Sequence, residues 1–301
     1  MNLSLLFTEG VVPYCNHPKV RETFYLSNPG PSQTTQAGSG SLTSSIESTP
    51  SNSLTDSHEL IQRIIEQFSD LDIMQLSGKI IILEGPISIG KTTLGYSLEQ
   101  TLTHLGLKVK FIPEFVNEPL LNLYLSDRKK YAFLFQIIAQ RERFHIHKRA
   151  IRLAEEGYLV LIDRGVTGDL MFAIMQRDEG FFTDEEWRIY WETVQLHQKG
   201  LFRPNLVIYL NCSPEIAFER LKRRGNQTEI EAYSLEYFES LQKACVKARM
   251  ETDQSSYAVD LNWSMEDPQM YQNSDKQWRL SSNYLHKFID WLLRQIIGKK
   301  D

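Results

Sequence analysis

The feature that most constrains the fold of this chain is an eight-residue phosphate-binding loop. Residues 85–92 read Gly-Pro-Ile-Ser-Ile-Gly-Lys-Thr and match the pattern G-x-x-x-x-G-K-[ST]. An apolar run from Ile80 to Leu83 precedes the loop, and a segment typical of a helix start follows it from Thr93. Because this motif needs a strand before it and a helix after it, the sequence predicts an α/β fold with a buried strand at the loop.

The loop also predicts binding of a nucleoside triphosphate. Its backbone N–H groups and the helix N-terminus would surround phosphate oxygens with hydrogen-bond donors. Lys91 would reach the β- and γ-phosphates, and Thr92 would place its hydroxyl on Mg²⁺. The residues predicted to bind the nucleotide here are Gly85, Pro86, Ile87, Ser88, Ile89, Gly90, Lys91, Thr92 and Thr93. The alternative is a glycine turn that only mimics the motif, and the flanking strand and helix argue against it.

Composition and charge exclude several classes of protein. With 301 residues and 42% hydrophobic content, the chain can build one substantial α/β core with additional segments. The formal net charge of −5 argues against a protein that coats nucleic acid. Because Cys15, Cys212 and Cys245 are far apart and form no C-x-x-C pair, neither a zinc site nor a disulfide framework is predicted, and a reducing compartment fits.

The sequence has no feature that predicts membrane insertion or secretion. No stretch approaches the ~20 apolar residues of a membrane span, and residues 1–10 lack the basic start of a secretory signal. We therefore expect no membrane partner and a cytoplasmic location. A mitochondrial location stays open because Lys19 and Arg21 come early among many serines, and a nuclear location is open as well.

Composition divides the chain near residue 55. Residues 27–57 are rich in Ser, Thr, Gly and Pro and contain no Lys, Arg or aromatic residue. Such a segment cannot bury enough apolar area to offset its chain entropy, so residues 1–55 are predicted to be a flexible, disordered leader. Residues 56–75 are predicted to form a helix that docks on the core, with an apolar face made of Leu60, Ile61, Ile64, Ile65 and Phe68.

From residue 79 to 301 the pattern alternates between strands and helices. Short apolar runs predict strands at 80–83, 108–112, 158–162, 206–210 and 257–261. Longer mixed segments predict helices at 132–153, 187–199, 214–224 and 283–297. The alternation predicts one domain, residues 56–301, with a parallel sheet of about five strands and helices on both faces.

Charged residues follow two of these strands, where ligands bind in such sheets. Glu114 comes after the second strand and could accept the proton of an attacking hydroxyl. Asp163 and Arg164 follow the third strand, where the carboxylate could hold Mg²⁺ and the guanidinium could stabilise a transferring phosphoryl group. The structural alternatives are a solvated carboxylate and a surface ion pair.

A run of basic residues ends the helix predicted at 214–224. Arg220, Lys222, Arg223 and Arg224 fall within five residues and lead into Gly225-Asn226-Gln227. A basic helix end followed by a flexible polar loop suits a helical lid that closes over phosphates and excludes water. The structural alternative is a solvated helix face.

From about Lys79 onward, roughly three-quarters of the chain, these motifs resemble the deoxynucleoside kinases. The family's Phe-Gln pair, which binds the base, matches Phe135 and Gln136, and its Glu/Asp-Arg-Ser matches Asp163-Arg164-Gly165. The resemblance implies a P-loop kinase fold with Lys91, Glu114 and Arg164 as catalytic residues. It also implies ATP or another nucleoside triphosphate as phosphate donor, with Mg²⁺ held by Thr92 and Asp163.

The resemblance further implies which residues contact the substrates. The lid arginines that bind ATP match Arg220 and Arg224, and the lid glutamate that holds the sugar 3′-hydroxyl matches Glu229. Members that accept cytosine or purines have an Arg–Asp pair at the base edge with the spacing of Arg143 and Asp169. We therefore expect deoxycytidine or a deoxypurine to be preferred over thymidine.

The chain departs from the family pattern at several substrate positions. Phe115 stands where the family has proline, glycine replaces serine at Gly165, and no tryptophan follows Glu114 within a few residues. The family's sugar-binding tyrosine aligns with Leu125, and Tyr124 lies one position earlier. Tyr124 is therefore the predicted sugar contact.

The resemblance implies phosphoryl transfer from ATP to the 5′-hydroxyl of a deoxynucleoside, by an enzyme with small-molecule substrates that forms a homodimer. One alternative is a nucleoside monophosphate kinase of the thymidylate kinase type, which would need more basic residues around a substrate phosphate. Arg128, Lys129 and Lys130 could serve there. Another alternative is a catalytically silent kinase-fold subunit of a larger assembly, against which Lys91 and Glu114 argue.

Overall fold

The computed structural model describes residues 23–24, 62, 73–200, 203–252, 258–264, 270–272 and 278–297. The strands among them are β1 (Thr23–Phe24), β2 (Ile80–Glu84), β3 (Val109–Ile112), β4 (Leu159–Asp163), β5 (Leu206–Asn211), β6 (Ala258–Asn262), β7 (Met270–Gln272) and β8 (Trp278–Leu280). The helices are α1 (Lys91–His104), α2 (Glu118–Ser126), α3 (Arg128–Glu155), α4 (Val166–Asp178), α5 (Asp184–Gly200), α6 (Pro214–Arg224), α7 (Gln227–Ala232), α8 (Leu235–Thr252) and α9 (Ser282–Ile297).

The main sheet is parallel and has the strand order β1-β6-β5-β2-β4-β3. The chain passes from β2 to β3 and β4 on one side, then crosses to β5 and β6 on the other. The change of direction therefore falls beside β2, where open α/β sheets leave a crevice beyond the carboxyl ends of their strands. A separate antiparallel pair, β7 and β8, packs against α1.

The sheet is buried on both faces, as expected when helices connect parallel strands. All five residues of β2 and all five of β4 are buried. Alternate β2 residues belong to different core clusters, with Ile81 and Leu83 in one and Ile80 and Ile82 in the other. This two-sided core holds β2 and β4 in the centre and fixes the edge at which their polar end residues lie.

Each of the predicted strands and helices beyond residue 79 is present, with boundaries that differ by a few residues. Helix α6 has the predicted bounds, Pro214–Arg224, because Ser213 caps it, Pro214 begins it and Gly225 ends it at φ 78°. The largest difference is at α3, which begins at Arg128 rather than at residue 132 and is capped by Asp127. The prediction of a parallel P-loop fold is confirmed.

Two predictions for the N-terminal part fall largely outside the described residues. In the predicted leader, the structure describes only Thr23 and Phe24, which pair with Asp260 and Leu261 of β6 as a sixth parallel strand. At these two residues the structure has a strand, and the prediction of a flexible leader for residues 1–55 stays a prediction. Of the predicted docking helix at 56–75, the structure describes Gln62, which is helical, and residues 73–75.

Four helices, α2, α4, α7 and α8, have no counterpart in the sequence prediction. Helix α4 lacks an apolar stripe because 10 of its 13 residues are buried, so it is enclosed on nearly every side. Within the described residues, no helix combines the length and apolar character that crossing a membrane requires.

Candidate active site

The phosphate-binding loop connects β2 to α1 in the predicted context. Gly90 precedes α1 in a left-handed conformation at φ 109°, and a Cβ there would lie 3.0 Å from Trp263 Nε1. Lys91 is buried, and its Nζ donates to the carbonyl oxygens of Gly85 at 3.1 Å and Pro86 at 2.8 Å. The ammonium thus lies inside the loop, where phosphate oxygens would replace these carbonyls.

Burial lowers the pKa of Lys91 to about 8, and the neighbouring Arg164 acts in the same direction. The carboxylates of Asp163 and Glu114 oppose this shift and keep much of the charge on the amine. A bound polyphosphate would restore the charge fully, because an adjacent anion favours the protonated amine.

Asp163, the last residue of β4, lies opposite Leu83 of β2 and points to the loop. Its Oδ2 accepts a hydrogen bond from the Thr92 hydroxyl at 2.6 Å, whereas its buried Oδ1 has no hydrogen-bond partner. Burial raises the pKa of Asp163, against the effect of Lys91. A hydroxyl and an unpartnered carboxylate oxygen side by side are oxygen ligands of the kind that Mg²⁺ takes together with substrate phosphates.

Within the described residues, no cluster of three or more His, Cys, Asp or Glu side chains could hold a metal ion. The donor set at Thr92 and Asp163 is too small to be a protein cage. It fits a Mg²⁺ ion whose remaining ligands are water and nucleotide phosphates, which is how this ion is commonly bound.

Arg164 follows directly and joins the loop to the end of β3. Its backbone is left-handed at φ 73°, a conformation that costs a non-glycine residue free energy and often marks functional sites. Its Nε donates to Glu114 Oε1 at 2.8 Å, and its guanidinium lies 4.8 Å from the ring centre of Phe172. The residue is 1% exposed, so the strained turn places a buried cation in the lining of the cavity.

Glu114 is held by two arginines. Its Oε1 accepts from Arg164 Nε and, at 3.1 Å, from an Arg143 terminal nitrogen. Burial alone would raise the pKa of Glu114, but Arg164, Arg143 and Lys91 outweigh it and lower the pKa to about 2. The side chain is 29% exposed, so this ionised carboxylate remains open to the cavity.

Arg143 and Asp169 form the predicted buried pair. The Arg143 Nε donates to Asp169 Oδ2 at 2.9 Å and a terminal nitrogen donates to Oδ1 at 2.8 Å, a bidentate geometry. The other terminal nitrogen donates to the backbone carbonyls of Asp163 and Arg164, both at 3.0 Å. With the bond to Glu114, the five N–H donors of this guanidinium all have acceptors within the protein.

Aromatic and amide side chains also line the cavity. The rings of Tyr124 and Phe135 stack at 4.9 Å between centres. Gln136 is 1% exposed, and Gln176 donates to the Tyr124 hydroxyl at 2.9 Å while its own Oε1 is buried without a partner. These flat surfaces and unpaired polar atoms are typical of a pocket that receives a planar, hydrogen-bonding ligand.

The predicted lid residues take two different positions. Arg220 donates to the backbone carbonyls of Ile89 in the loop and Trp263 after β6, both at 2.9 Å, so it connects the loop to the segment after β6. Arg224, at the end of α6, is hydrogen-bonded to Glu229 in α7. Both side chains are partly exposed and line the cavity.

One cavity of about 320 Å³ contains nearly all the predicted site residues. Those that line it are Ile87, Ser88, Ile89, Gly90, Lys91, Thr92, Thr93, Glu114, Tyr124, Phe135, Gln136, Arg143, Asp163, Arg164, Asp169, Arg220, Arg224 and Glu229. Gly85 and Pro86 lie behind the lining and contact Lys91 through their carbonyls.

Sequence reasoning missed several residues that line this cavity. Phe172 and Gln176 follow Asp169 at spacings of three and seven, so the helical period could have found them once α4 was recognised. Tyr233 lies in the turn after α7 and Tyr237 lies in α8, and no local pattern indicates them. Phe115, 56% exposed, lines the mouth in the segment where the family has a tryptophan.

Comparison with known proteins identifies relatives over the same region. The family model for deoxynucleoside kinase matches residues 81–290. A deoxyadenosine kinase of Dictyostelium discoideum is 32% identical over 193 residues, which cover 63% of this chain and 74% of that protein. A deoxyguanosine kinase of Lactobacillus acidophilus is 33% identical over 159 residues, which cover 51% of this chain and 66% of that protein.

A solved structure agrees in fold. Deoxyadenosine kinase from M. mycoides with bound dATP superposes with a TM-score of 0.57 at 21% identity, covering 71% of this chain and 99% of that one. The resemblance seen in the sequence motifs is therefore confirmed. The chain belongs to the deoxynucleoside kinase family, the enzymes that phosphorylate deoxynucleosides.

Proposed function

We propose that this enzyme transfers the γ-phosphoryl group of ATP to the 5′-hydroxyl of a deoxynucleoside, with deoxycytidine or a deoxypurine preferred over thymidine. The observation that carries the proposal is the position of Glu114. Its carboxylate opens into the cavity that also contains the phosphate loop, and two buried arginines hold it there. An acceptor hydroxyl beside Glu114 faces the γ-phosphate held by Lys91.

Chemistry at this site needs one proton acceptor and several positive charges. Glu114 accepts the proton of the 5′-hydroxyl as the oxygen attacks the γ-phosphorus, and the bond to the leaving ADP oxygen breaks. Arg164, Arg143 and Lys91 lower the pKa of Glu114 and keep the carboxylate ionised, so it is able to accept this proton. Arg164 and Lys91 neutralise the charge on the transferring group.

Mg²⁺ fits as the cofactor. Thr92 and the free Oδ1 of Asp163 would hold it, directly or through water, beside the phosphates. When bound, the ion would supply positive charge that offsets the negative charge of the nucleotide phosphates.

The acceptor pocket suits a nucleoside. Phe135 offers a face for stacking, and Tyr124 and Glu229 offer polar groups for the sugar. Because the donors of Arg143 are all used within the protein, base reading falls mainly to Asp169, whose oxygens retain lone pairs. Asp169 would accept from the exocyclic amino group of cytosine or adenine, whereas thymine would place a carbonyl against the carboxylate.

The relatives support a base with an amino group. The two relatives described above are named for deoxyadenosine and deoxyguanosine, and both bases carry an exocyclic amine. The monophosphate kinase alternative lacks comparable support, because Arg128, Lys129 and Lys130 are not among the residues that line the cavity. Arg128 instead lies over the rings of Tyr233 and Tyr237. The homodimer and the cytoplasmic location stay predictions.

The test is product identification with two classes of acceptor. Wild-type enzyme, ATP and Mg²⁺ are incubated with each deoxynucleoside or each deoxynucleoside monophosphate, and the products are separated by chromatography. We expect monophosphates from nucleosides and no diphosphates from monophosphates. We expect no product with Lys91→Ala, which removes the positive charge that binds the β- and γ-phosphates. Diphosphate formation, or undiminished turnover by Lys91→Ala, would overturn the proposal.

A further inference from the structure

Glu84 is a buried carboxylate that was not among the predicted site residues, and it contacts the start of the helix that carries Asp169. Glu84 is the last residue of β2, directly before the phosphate loop, and is 1% exposed. An acidic side chain at that depth needs hydrogen-bond partners, because burying an unpaired charge is costly. The partners that it has connect it to α4, which carries Asp169.

Glu84 caps α4 from a neighbouring strand. Its Oε1 accepts from the backbone N–H groups of Gly165 at 2.9 Å and Gly168 at 3.2 Å. Gly165, the residue before α4, has no side chain to cap these donors itself. The carboxylate therefore supplies the cap that the helix start lacks, one residue before Asp169.

Close packing joins this cap to Arg164. A Cβ at Gly168 would lie 2.3 Å from Arg164 Cγ and 2.5 Å from Glu84 Oε2, so only glycine fits there without a shift. A Cβ at Gly165, where the family pattern has serine, would lie 2.9 Å from Glu84 Oε1. Glu84, the stem of Arg164 and the first turn of α4 thus occupy one space without a gap.

The charges around Glu84 are those of the site. Burial raises its pKa, against the effects of Arg164, Arg143 and Lys91. Its Oε2 is buried and has no hydrogen-bond partner. The contacts that hold the group in place are consequently those of Oε1 with the start of α4.

We propose that Glu84 is a positioning residue of the acceptor site: by binding the first N–H groups of α4, it fixes Arg164 and Asp169 against the nucleoside. The inference rests on the proposed function. It predicts that loss of this cap impairs the acceptor side and leaves ATP binding intact.

Two isosteric substitutions separate the cap from the charge. Glu84→Gln keeps an oxygen acceptor for both N–H groups, whereas Glu84→Met keeps the volume and removes every acceptor. We expect Glu84→Met to lose about 10²-fold in kcat/KM for the deoxynucleoside, the scale of a small misplacement in an active site, and to lose part of its base preference. Glu84→Gln should stay within about threefold of wild type on the same reasoning.

The split between kinetic constants excludes a role in stability alone. A variant that only unfolds more easily loses active enzyme, so it lowers the apparent kcat and leaves both KM values and the base preference unchanged. We expect Glu84→Met to raise KM for the deoxynucleoside while KM for ATP and equilibrium ATP binding stay as in wild type. Equal losses on both substrates, or wild-type constants throughout, would overturn the proposal.

A second variant and a second measurement cover misfolding and inactivity. Gly168→Ala removes no polar group, but its Cβ would displace Arg164 and Glu84, so it should lower kcat/KM and raise KM for the deoxynucleoside. Unchanged constants would refute the role. Amide hydrogen exchange at residues 165–169 needs no turnover. It should be slow in wild type and Glu84→Gln and faster in Glu84→Met, and equal exchange in all three would contradict the cap even if no deoxynucleoside is a substrate.

Discussion

Replacing Glu114 with glutamine removes the proposed proton acceptor and keeps the shape of the side chain. General-base catalysis typically contributes about 10²–10⁴-fold, so kcat should fall by that factor, equivalent to about 3–5 kcal/mol in the barrier. The amide oxygen can still accept from Arg164 and Arg143, which now donate at 2.8 and 3.1 Å. Nucleoside binding should therefore survive the substitution.

The same contacts set the expected cost in stability. Hydrogen bonds to a charged acceptor contribute about 1.5–3 kcal/mol and neutral ones about 0.5–1.5 kcal/mol. Losing the charge at two such bonds should lower the free energy of unfolding by about 1–3 kcal/mol, the lower end being favoured because the Glu114 side chain is 29% exposed to solvent. The unfolding midpoint should fall by several degrees.

The assay is steady-state turnover with saturating ATP, together with calorimetric titration of the deoxynucleoside. Glu185→Gln is the control, because Glu185 also accepts two hydrogen bonds from arginine, both from Arg188, but lies exposed on α5 away from the cavity. The control should keep wild-type kcat. An unchanged kcat in Glu114→Gln would reassign Glu114 to a structural role, and loss of nucleoside binding would show that Arg164 had moved.

Three further outcomes are expected. Asp169→Ala should lower the free energy of unfolding by about 3–5 kcal/mol, because it leaves buried Arg143 without its partner. The double variant Arg143→Met, Asp169→Ala should lose less stability than the sum of the two single variants, and its kcat/KM should shift towards thymidine. Additive losses or an unaltered base preference would contradict the role of the pair. A chain that begins at Asp56 should keep its activity, and one that begins at Val20, which retains β1, is the comparison; loss of folding on either truncation refutes the leader prediction. Because the pKa of Glu114 is lowered from 4.5 to about 2, its stabilising effect is complete above pH 4.5 and is lost as pH falls through 2. The stability of Glu114→Gln should therefore depend less on pH in this range than that of the wild type. Identical acid-unfolding curves would refute the shift.

The sequence predicted the site best where a motif and a strand end coincide. Lys91, Glu114 and Asp163 each follow an apolar strand, and parallel strands bring their carboxyl ends to one edge whatever the loops between them do. Local pattern and topology therefore agree at these positions. The predicted contact between Arg143 and Asp169 is also present. It was predicted from the family resemblance, because family members have an arginine and an aspartate at the same spacings.

Tertiary contacts between distant residues could not be predicted in the same way. Glu84 lies just beyond the strand predicted at 80–83 and no role was predicted for it, since its partners Gly165 and Gly168 lie 81 and 84 residues later. Arg220 has the position expected of a lid residue, but its donors bind backbone carbonyls of Ile89 and Trp263. These contacts depend on how α6 packs against the loop, and the run of basic residues gives no information about that packing.

Kcat/KM of the wild-type enzyme for the four deoxynucleosides, measured side by side with ATP and Mg²⁺, tests the central claim most directly. The account predicts that deoxycytidine or a deoxypurine has the highest value and that thymidine is a poor substrate, because Asp169 meets an amino group in the first case and a carbonyl in the second. A higher value for thymidine than for the other three would contradict the account.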